Sequence, residues 1–291
     1  MITQIAEKCN NRYTTHMCTN CSYTDNCPHN CEKCLEYIHF PQRAPAPRKY
    51  DCKRMADYYF CKYSHKYSSE LIYAFSSLEG LAQKTYLSVL SIGCGPCTDL
   101  LALEYLYNTG VYSFFNLDYI GIELVPDVWS NIYNDISNNM PPFWTKRIVA
   151  ANICDYLNVM QHDKWRPDLI SLQYVFSDMQ KHEERSRIES MICDLASYFD
   201  SCENGTYLVC NDINLSTVYG GGREYFDDLL SHVNSNQQYY KKHFCNSNKN
   251  NHFDYGVEWE DNKLIVNPPE TLSQYSPFMS CASAQMIIKK V

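Results

Sequence analysis

Two groups of residues in this chain have types and spacings suited to chemistry. The first is a glycine turn. Residues 86–99 read YLSVLSIGCGPCTD: an apolar run, then Gly93 and Gly95, then Thr98-Asp99 opening an amphipathic stretch. Glycine reaches backbone angles closed to other residues and leaves room for a ligand against the chain. The string holds no GxxxxGK[ST], which excludes a phosphate-gripping P-loop. The third glycine of GxGxxG is also missing, which argues against a nicotinamide or flavin site. An acid follows downstream, where residues 118–124 read DYIGIEL, a short strand ending on Glu123. It lies about 25–30 residues after the turn, near the spacing at which an α/β fold sets an acid against a ribose.

The second group is rich in soft metal donors. Eight of the 16 cysteines lie within residues 1–61, with three of the nine histidines. The core pattern is Cys18-x2-Cys21-x9-Cys31-x2-Cys34, with Cys27 as a further donor. Two CxxC knuckles present four thiolates, enough for a tetrahedral zinc shell. A second group, Cys52-x8-Cys61-x3-His65, could hold another ion with one upstream donor. One or two Zn2+ are therefore expected. Cys27-x3-Cys31-x2-Cys34 also has the spacing of a triad that holds an iron–sulfur cluster, so a structural cluster is the alternative. A head this poor in Leu, Ile and Val needs such a staple in order to fold.

The elements that position these groups alternate. Strands are expected at the run before Gly93, at DYIGIEL, at RIVAANICD (147–155) ending in Asn152 and Asp155, at PDLISLQ before Tyr174, and at GTYLVCND (205–212). Leu71, Phe75, Leu78 and Leu81 predict a helix over 66–84. Further helices are expected over 98–108, 126–138 and 181–200, and another after the Gly220-Gly221-Gly222 break. Residues 252–260 and 281–289 alternate as strands, and CNSNKNNH (245–252) before them reads as a surface loop.

In this order SIGCGPC, IGIE, ANICD and PDLISLQYVFSDM resemble motifs I to IV of the class I S-adenosylmethionine (SAM)-dependent methyltransferases. The likeness covers residues 67–291; no single motif is specific, and their order and spacing carry it. It implies an α/β fold: a Rossmann-like seven-stranded methyltransferase sheet with helices on both faces, preceded by a small Cys-rich zinc-binding module. The module would occupy residues 1–65 and the SAM-dependent domain 66–291, with 252–260 and 281–289 as the final antiparallel pair. The resemblance places Ser91, Gly93, Cys94 and Gly95 along the carboxypropyl arm of SAM. It places Glu123 on the ribose hydroxyls, Asn152 or Asp155 at the adenine edge, and Gln173 beside the cofactor. The segment after the fourth strand faces the transferred methyl, which makes Gln173, Tyr174 and Asp178 the candidate catalytic residues. Two positions depart from the family pattern: Ser91 stands where an acid is usual, and Cys97 where a third glycine is usual. The segment is not the [DNS]PP[YF] used on exocyclic base amines, and no Pro-Cys pair sits there for attack on cytosine C5.

Charge divides the 291-residue chain. Residues 1–66 carry ten Lys or Arg and six Asp or Glu, a net of +4 that leaves −12 on the rest of a −8 total. Arg43, Arg48, Lys49, Lys53 and Arg54 lie beside Tyr50, with Tyr58, Tyr59 and Phe60 following. Basic groups beside aromatics can grip a phosphate backbone and stack bases. The expected function is methyl transfer to RNA or an RNA-associated substrate, with RNA or a protein complex met through the basic head. The alternatives are a small-molecule or protein methyltransferase and a non-catalytic SAM-binding scaffold. No apolar run reaches the ~18 residues of a membrane span. The start, MITQIAEKC, has no apolar signal region, so a cytoplasmic location with reduced thiols is expected. Elemental analysis of the purified protein should find zinc; iron in its place, with a brown colour, would overturn the zinc assignment.

Overall fold

Strands buried on both faces need a partner layer on each side, and the five apolar runs obtain one. The structure is a computed structural model that describes residues 1–15, 27, 29–45, 48–245 and 254–291. Parallel strands β1 (Tyr86–Ile92), β2 (Asn116–Glu123), β3 (Trp144–Ala150), β4 (Leu169–Gln173) and β5 (Tyr207–Ile213) form most of the sheet. Strand β8 (Ser283–Lys290) runs antiparallel between β5 and β6 (Gln237–His243), and the two-residue β7 (Val257–Glu258) closes the edge. The order is β3-β2-β1-β4-β5-β8-β6-β7. The sheet is thus mixed α/β, as expected, with eight strands rather than seven.

Alternate residues feed two cores, as the pleat requires. Leu87, Val89, Tyr119 and Leu169 face helices α1 (Ile2–Thr15), α2 (Cys31–His39), α3 (Lys53–Ser76), α4 (Thr98–Asn108) and α5 (Ser130–Ser137). Leu90, Ile92, Ile120 and Ile170 face α6 (Ile153–Gln161), α7 (Val175–His182), α8 (Arg185–Asp200) and α9 (Glu224–His232). Among the described residues no helix is long and apolar enough to cross a membrane.

Three elements differ from the sequence expectation. The strand expected over 147–155 ends at Ala150, and Ile153–Gln161 is helix α6, whose first turn Asn152 caps. The helix expected over 66–84 occupies Lys53–Ser76, and 77–84 turns back toward β1. Apolar spacing marked only its second half, because this helix is buried nearly all round, polar residues included: Ser68, Ser69 and Glu70 are each 0 % exposed. The antiparallel partner of β8 is QQYYKKH rather than 252–260. That strand is mostly exposed, so it carries little apolar signal.

Residue 65, the expected boundary, falls inside α3. Ile5, Leu35 and Ile38 of the head share one hydrophobic cluster with Leu100, Leu103 and Ile132 of the body. Arg12 adds a polar tie, donating to Asp57 on α3 at 2.7 Å and to Asp135 on α5 at 2.5 Å.

Gly121 in β2 shows how tightly the sheet meets the glycine turn. A Cβ there would lie 2.7 Å from Cys94 Sγ and 2.9 Å from Ile148 Cδ1. Gly121→Ala should lower stability by about 1–3 kcal/mol, the usual cost of overpacking a filled core. Chemical denaturation of the two proteins measures it.

Candidate active site

The sheet order reverses between β1 and β4, and open α/β sheets bind ligands in the crevice at that point, beyond the carboxyl ends of the strands. Here the crevice holds the glycine turn. Gly93 and Gly95 both adopt positive φ, +60° and +45°. A Cβ at Gly93 would lie 2.9 Å from Val175 Cγ2, whereas one at Gly95 would meet only Gly93 O, at 4.0 Å. Gly93 is therefore required by packing, and Gly95 leaves the backbone open to an approaching group. Cys97 takes φ +57°, a left-handed conformation that an L side chain enters at a cost. The position usual for a third glycine thus keeps glycine-like geometry without the glycine.

Glu123 closes the turn from the end of β2. Its Oε2 accepts from Gly95 N at 2.9 Å and its Oε1 from Val125 N at 3.2 Å. Desolvation raises its pKa above the usual carboxylate value, and the two backbone N–H groups pull it back. Tyr133 Oη donates to Gly95 O at 2.8 Å, and Cys94 N donates to Ile122 O at 3.0 Å. The loop is held on both sides.

Not every expected cofactor residue faces this crevice. Ser91 is 2 % exposed and lies in the buried layer beneath the turn, with Asp99 and Tyr119. Cys94 is also buried, its Sγ 3.7 Å from Tyr133 Oη. These two support the loop from below. Asn152 caps α6, its side chain accepting from Cys154 N at 3.0 Å. Asp155 is exposed and pairs with Arg187 at 3.2 Å, so neither the cap nor the crevice uses it.

On the β4 side, Gln173 is committed at both ends of its amide. Its Oε1 accepts from Thr98 Oγ1 at 2.5 Å and its Nε2 donates to Tyr67 O at 2.8 Å. Tyr174 follows in the left-handed region, φ +59°. Such strain in a bulky residue is concentrated at functional sites. Its Oη accepts from Lys66 Nζ at 2.9 Å and donates to Glu70 Oε2 at 2.8 Å. Asp178 lies one turn into α7, its carboxyl raised by desolvation and drawn back by His182 and Lys181.

Helix α3 supplies what the sequence reading missed. Tyr59, Tyr63 and Tyr67 recur at four-residue spacing, so one face carries all three. Their rings link Trp129, after β2, to Tyr174, after β4. The centroid distances are 5.3 Å for Trp129–Tyr59, 4.7 Å for Tyr59–Tyr63, 5.4 Å for Tyr63–Tyr67 and 4.2 Å for Tyr67–Tyr174. Tyr50 packs on Trp129 and Tyr59 and bonds to His39, whose imidazole burial pushes down to about 3. The Tyr59-x3-Tyr63-x3-Tyr67 repeat was the available signal.

The expected metal donors divide. Cys18 and Cys21 lie outside the described residues. Cys31 and Cys34 lie buried on α2, Cys52 precedes α3, and Cys27 is half-buried. Cys61 donates to Ala6 O within the α1–α3 packing, and His65 is buried, its imidazole pushed down to about 4. Among the described residues no three His, Cys, Asp or Glu side chains gather as a metal site. Of the expected stacking platform, Tyr58, Phe60 and Arg48 are buried, Tyr50 and Tyr59 are half-buried, Arg43, Lys49 and Lys53 are exposed, and Arg54 lies over the Tyr13 ring.

No protein-family model matches the chain, and no curated protein matches it. Among solved structures, the plantazolicin methyltransferase BpumL, in complex with SAH, is similar over 100 % of this chain and 98 % of its own at 14 % identity, with a TM-score of 0.46. The plantazolicin methyltransferase BamL, with a triazolic desmethylPZN analog and SAH, is similar over 99 % and 97 % at 12 % identity, TM-score 0.44. Precorrin-6y C5,15-methyltransferase from Geobacter metallireducens is similar over 75 % and 86 % at 11 % identity, TM-score 0.38.

A second acid near the site titrates unusually. Asp212, at the end of β5, is 1 % exposed and is pushed up to about 6 by desolvation, against 3.8 ordinarily. Between those values the unfolded chain loses its proton first, so stability falls as pH rises from about 4 to 6, by about 3 kcal/mol in all. Asp212→Asn should remove most of this slope, read as denaturation midpoints across that window.

Proposed function

We propose that this protein is a SAM-dependent methyltransferase of the class I type, acting on a small acceptor molecule. The observation that carries the reading is the Gly95 N–H to Glu123 bond at the switch point. It places an acid at the end of β2 against a glycine turn whose backbone is open at Gly95. These residues fit the cofactor. Both Glu123 oxygens keep lone pairs for ribose hydroxyls, the Gly93–Gly95 backbone borders the methionine arm, and the Asn152 amide nitrogen is available to the adenine edge. When bound, SAM supplies an electrophilic methyl group, and the protein supplies position and electrostatics.

The chain's own residues then have distinct tasks. Glu123 and the turn bind. Gln173, held by Thr98 and Tyr67, fixes the start of α7 and so the place of Tyr174. The α3 tyrosines and Trp129 wall the crevice and exclude water. Ser91, Cys94 and Cys97 hold the turn from below. We assign the two CxxC pairs, Cys18 and Cys21 with Cys31 and Cys34, to a structural zinc. RNA is the less favoured acceptor, because two of the four aromatics beside the basic residues, Tyr58 and Phe60, are buried.

Calorimetry with S-adenosylhomocysteine tests the reading. The wild-type protein should bind it, and Glu123→Ala should lose at least about tenfold in affinity, or ~1.4 kcal/mol. Unchanged affinity in the variant would remove the basis of the site. The wild-type affinity should also weaken on acidification at a pH above the ordinary carboxylate range, because burial raises the Glu123 carboxyl.

A further inference from the structure

Beside Tyr174, away from the Glu123 end, the structure holds a cavity of about 150 Å³ lined by Lys66, Tyr174, Ile213, Asn214, Leu215 and Ala282. Three of the six are aliphatic. Lys66 is 8 % exposed and Glu70, one turn along α3, is 0 % exposed. Their charges balance at 3.5 Å. Glu70 is further held by Ala282 N at 2.9 Å and Asn211 Nδ2 at 3.2 Å. Asn211 is in turn fixed by Ser283 at 2.6 Å and Gln285 at 2.8 Å. Glu70 therefore keeps donors even when the Tyr174 hydroxyl turns its proton elsewhere.

An ammonium has three donors. Lys66 gives one to Tyr174 Oη and directs its charge at Glu70, with the Tyr67, Tyr174 and Phe278 rings around it at 5.4, 5.1 and 4.9 Å. A cation held so firmly at the wall of an apolar cavity favours one kind of guest. An oxyanion gains a charge-assisted bond there, whereas an ammonium guest meets a like charge. The volume suits a flat ring, since an apolar cavity of roughly 150 Å³ accommodates benzene.

We infer that this cavity is the acceptor subsite, and that Lys66 and Tyr174 select an acceptor oxygen in its anionic form, a phenolate or enolate, over an amine. The inference rests on the methyltransferase reading and names its substrate class. Lys66 supplies the positive charge and Tyr174 the second hydrogen bond, its proton turning from Glu70 to the guest. Glu70 is a positioning residue that holds both. The other titratable groups facing Tyr174 and Lys66 are Tyr67, Asp212 and Cys281.

The probe is 4-nitrophenol, whose visible absorbance separates phenolate from phenol. Titrated with full-length protein at a pH where the free probe is mostly neutral, it should bind as the phenolate. Lys66→Met should lose at least about tenfold of that affinity and leave any bound probe neutral. Tyr174→Phe keeps the ring stack and should weaken binding with less effect on ionisation, so the inference does not depend on one variant folding. 4-Nitrobenzylamine should not compete. Binding of the probe as neutral phenol, or equal binding of the amine, would overturn the inference. So would absence of probe binding in protein that still binds S-adenosylhomocysteine. Failure to bind S-adenosylhomocysteine would count instead against the methyltransferase reading.

Discussion

The hydrogen bond from Gly95 N to Glu123 is the constraint on which this edge of the molecule depends. It joins the turn after β1 to the end of β2 through a carboxylate that burial destabilises. Such a carboxylate is tolerated when backbone N–H groups are aimed at it. The turn can offer them because Gly93 and Gly95 enter the left-handed region. Tyr133 and Ile122 then hold the turn from the other side, and Gly121 leaves the space that Cys94 fills. A stretch of open backbone at Gly95 is thus built on residues that leave no slack beneath it.

Helix α3 plays the corresponding role on the other wall. It packs against α1 and α2 of the cysteine-rich head and also carries the candidate-site residues from Tyr59 to Glu70. Its tyrosines span the crevice from Trp129 to Tyr174. Its Lys66 and Glu70 form a buried ion pair with Tyr174 and Asn211 as partners. Breaking such a pair by removing one member typically costs about 3–5 kcal/mol, because the other charge stays buried. Glu70 meets that cost with bonds from Tyr174, Asn211 and Ala282 N. The arrangement also sets a cation beside an apolar cavity, which a hydrophobic core alone would not produce.

Parts of this were legible in the residues. The GxG turn, Glu123 and the parallel strands could be read because each has a local signature: missing side chains, a strand-terminal acid, continuous apolar runs. Strand β6 could not, since an exposed edge-side strand has no apolar face to mark it. Asp155 and Asn152 looked equivalent in ANICD, yet one became the helix cap and the other a surface partner of Arg187. Ser91 and Cys94 sit in the motif but face the layer beneath it, because strand alternation and the positive-φ turn direct their side chains inward.

The sequence by itself determined the order of the five parallel strands, the glycine turn and the acid that answers it. Those depend on backbone conformation and on patterns within a few residues, which the local order of residue types records. Only the tertiary structure decided that α3 runs through the expected domain boundary, that its tyrosines wall the crevice, and that Lys66, Glu70, Tyr174 and Asn211 meet. Those residues are up to 145 positions apart. Their meeting follows from burial of several faces of one helix against distant elements, a property that no local pattern in the chain encodes.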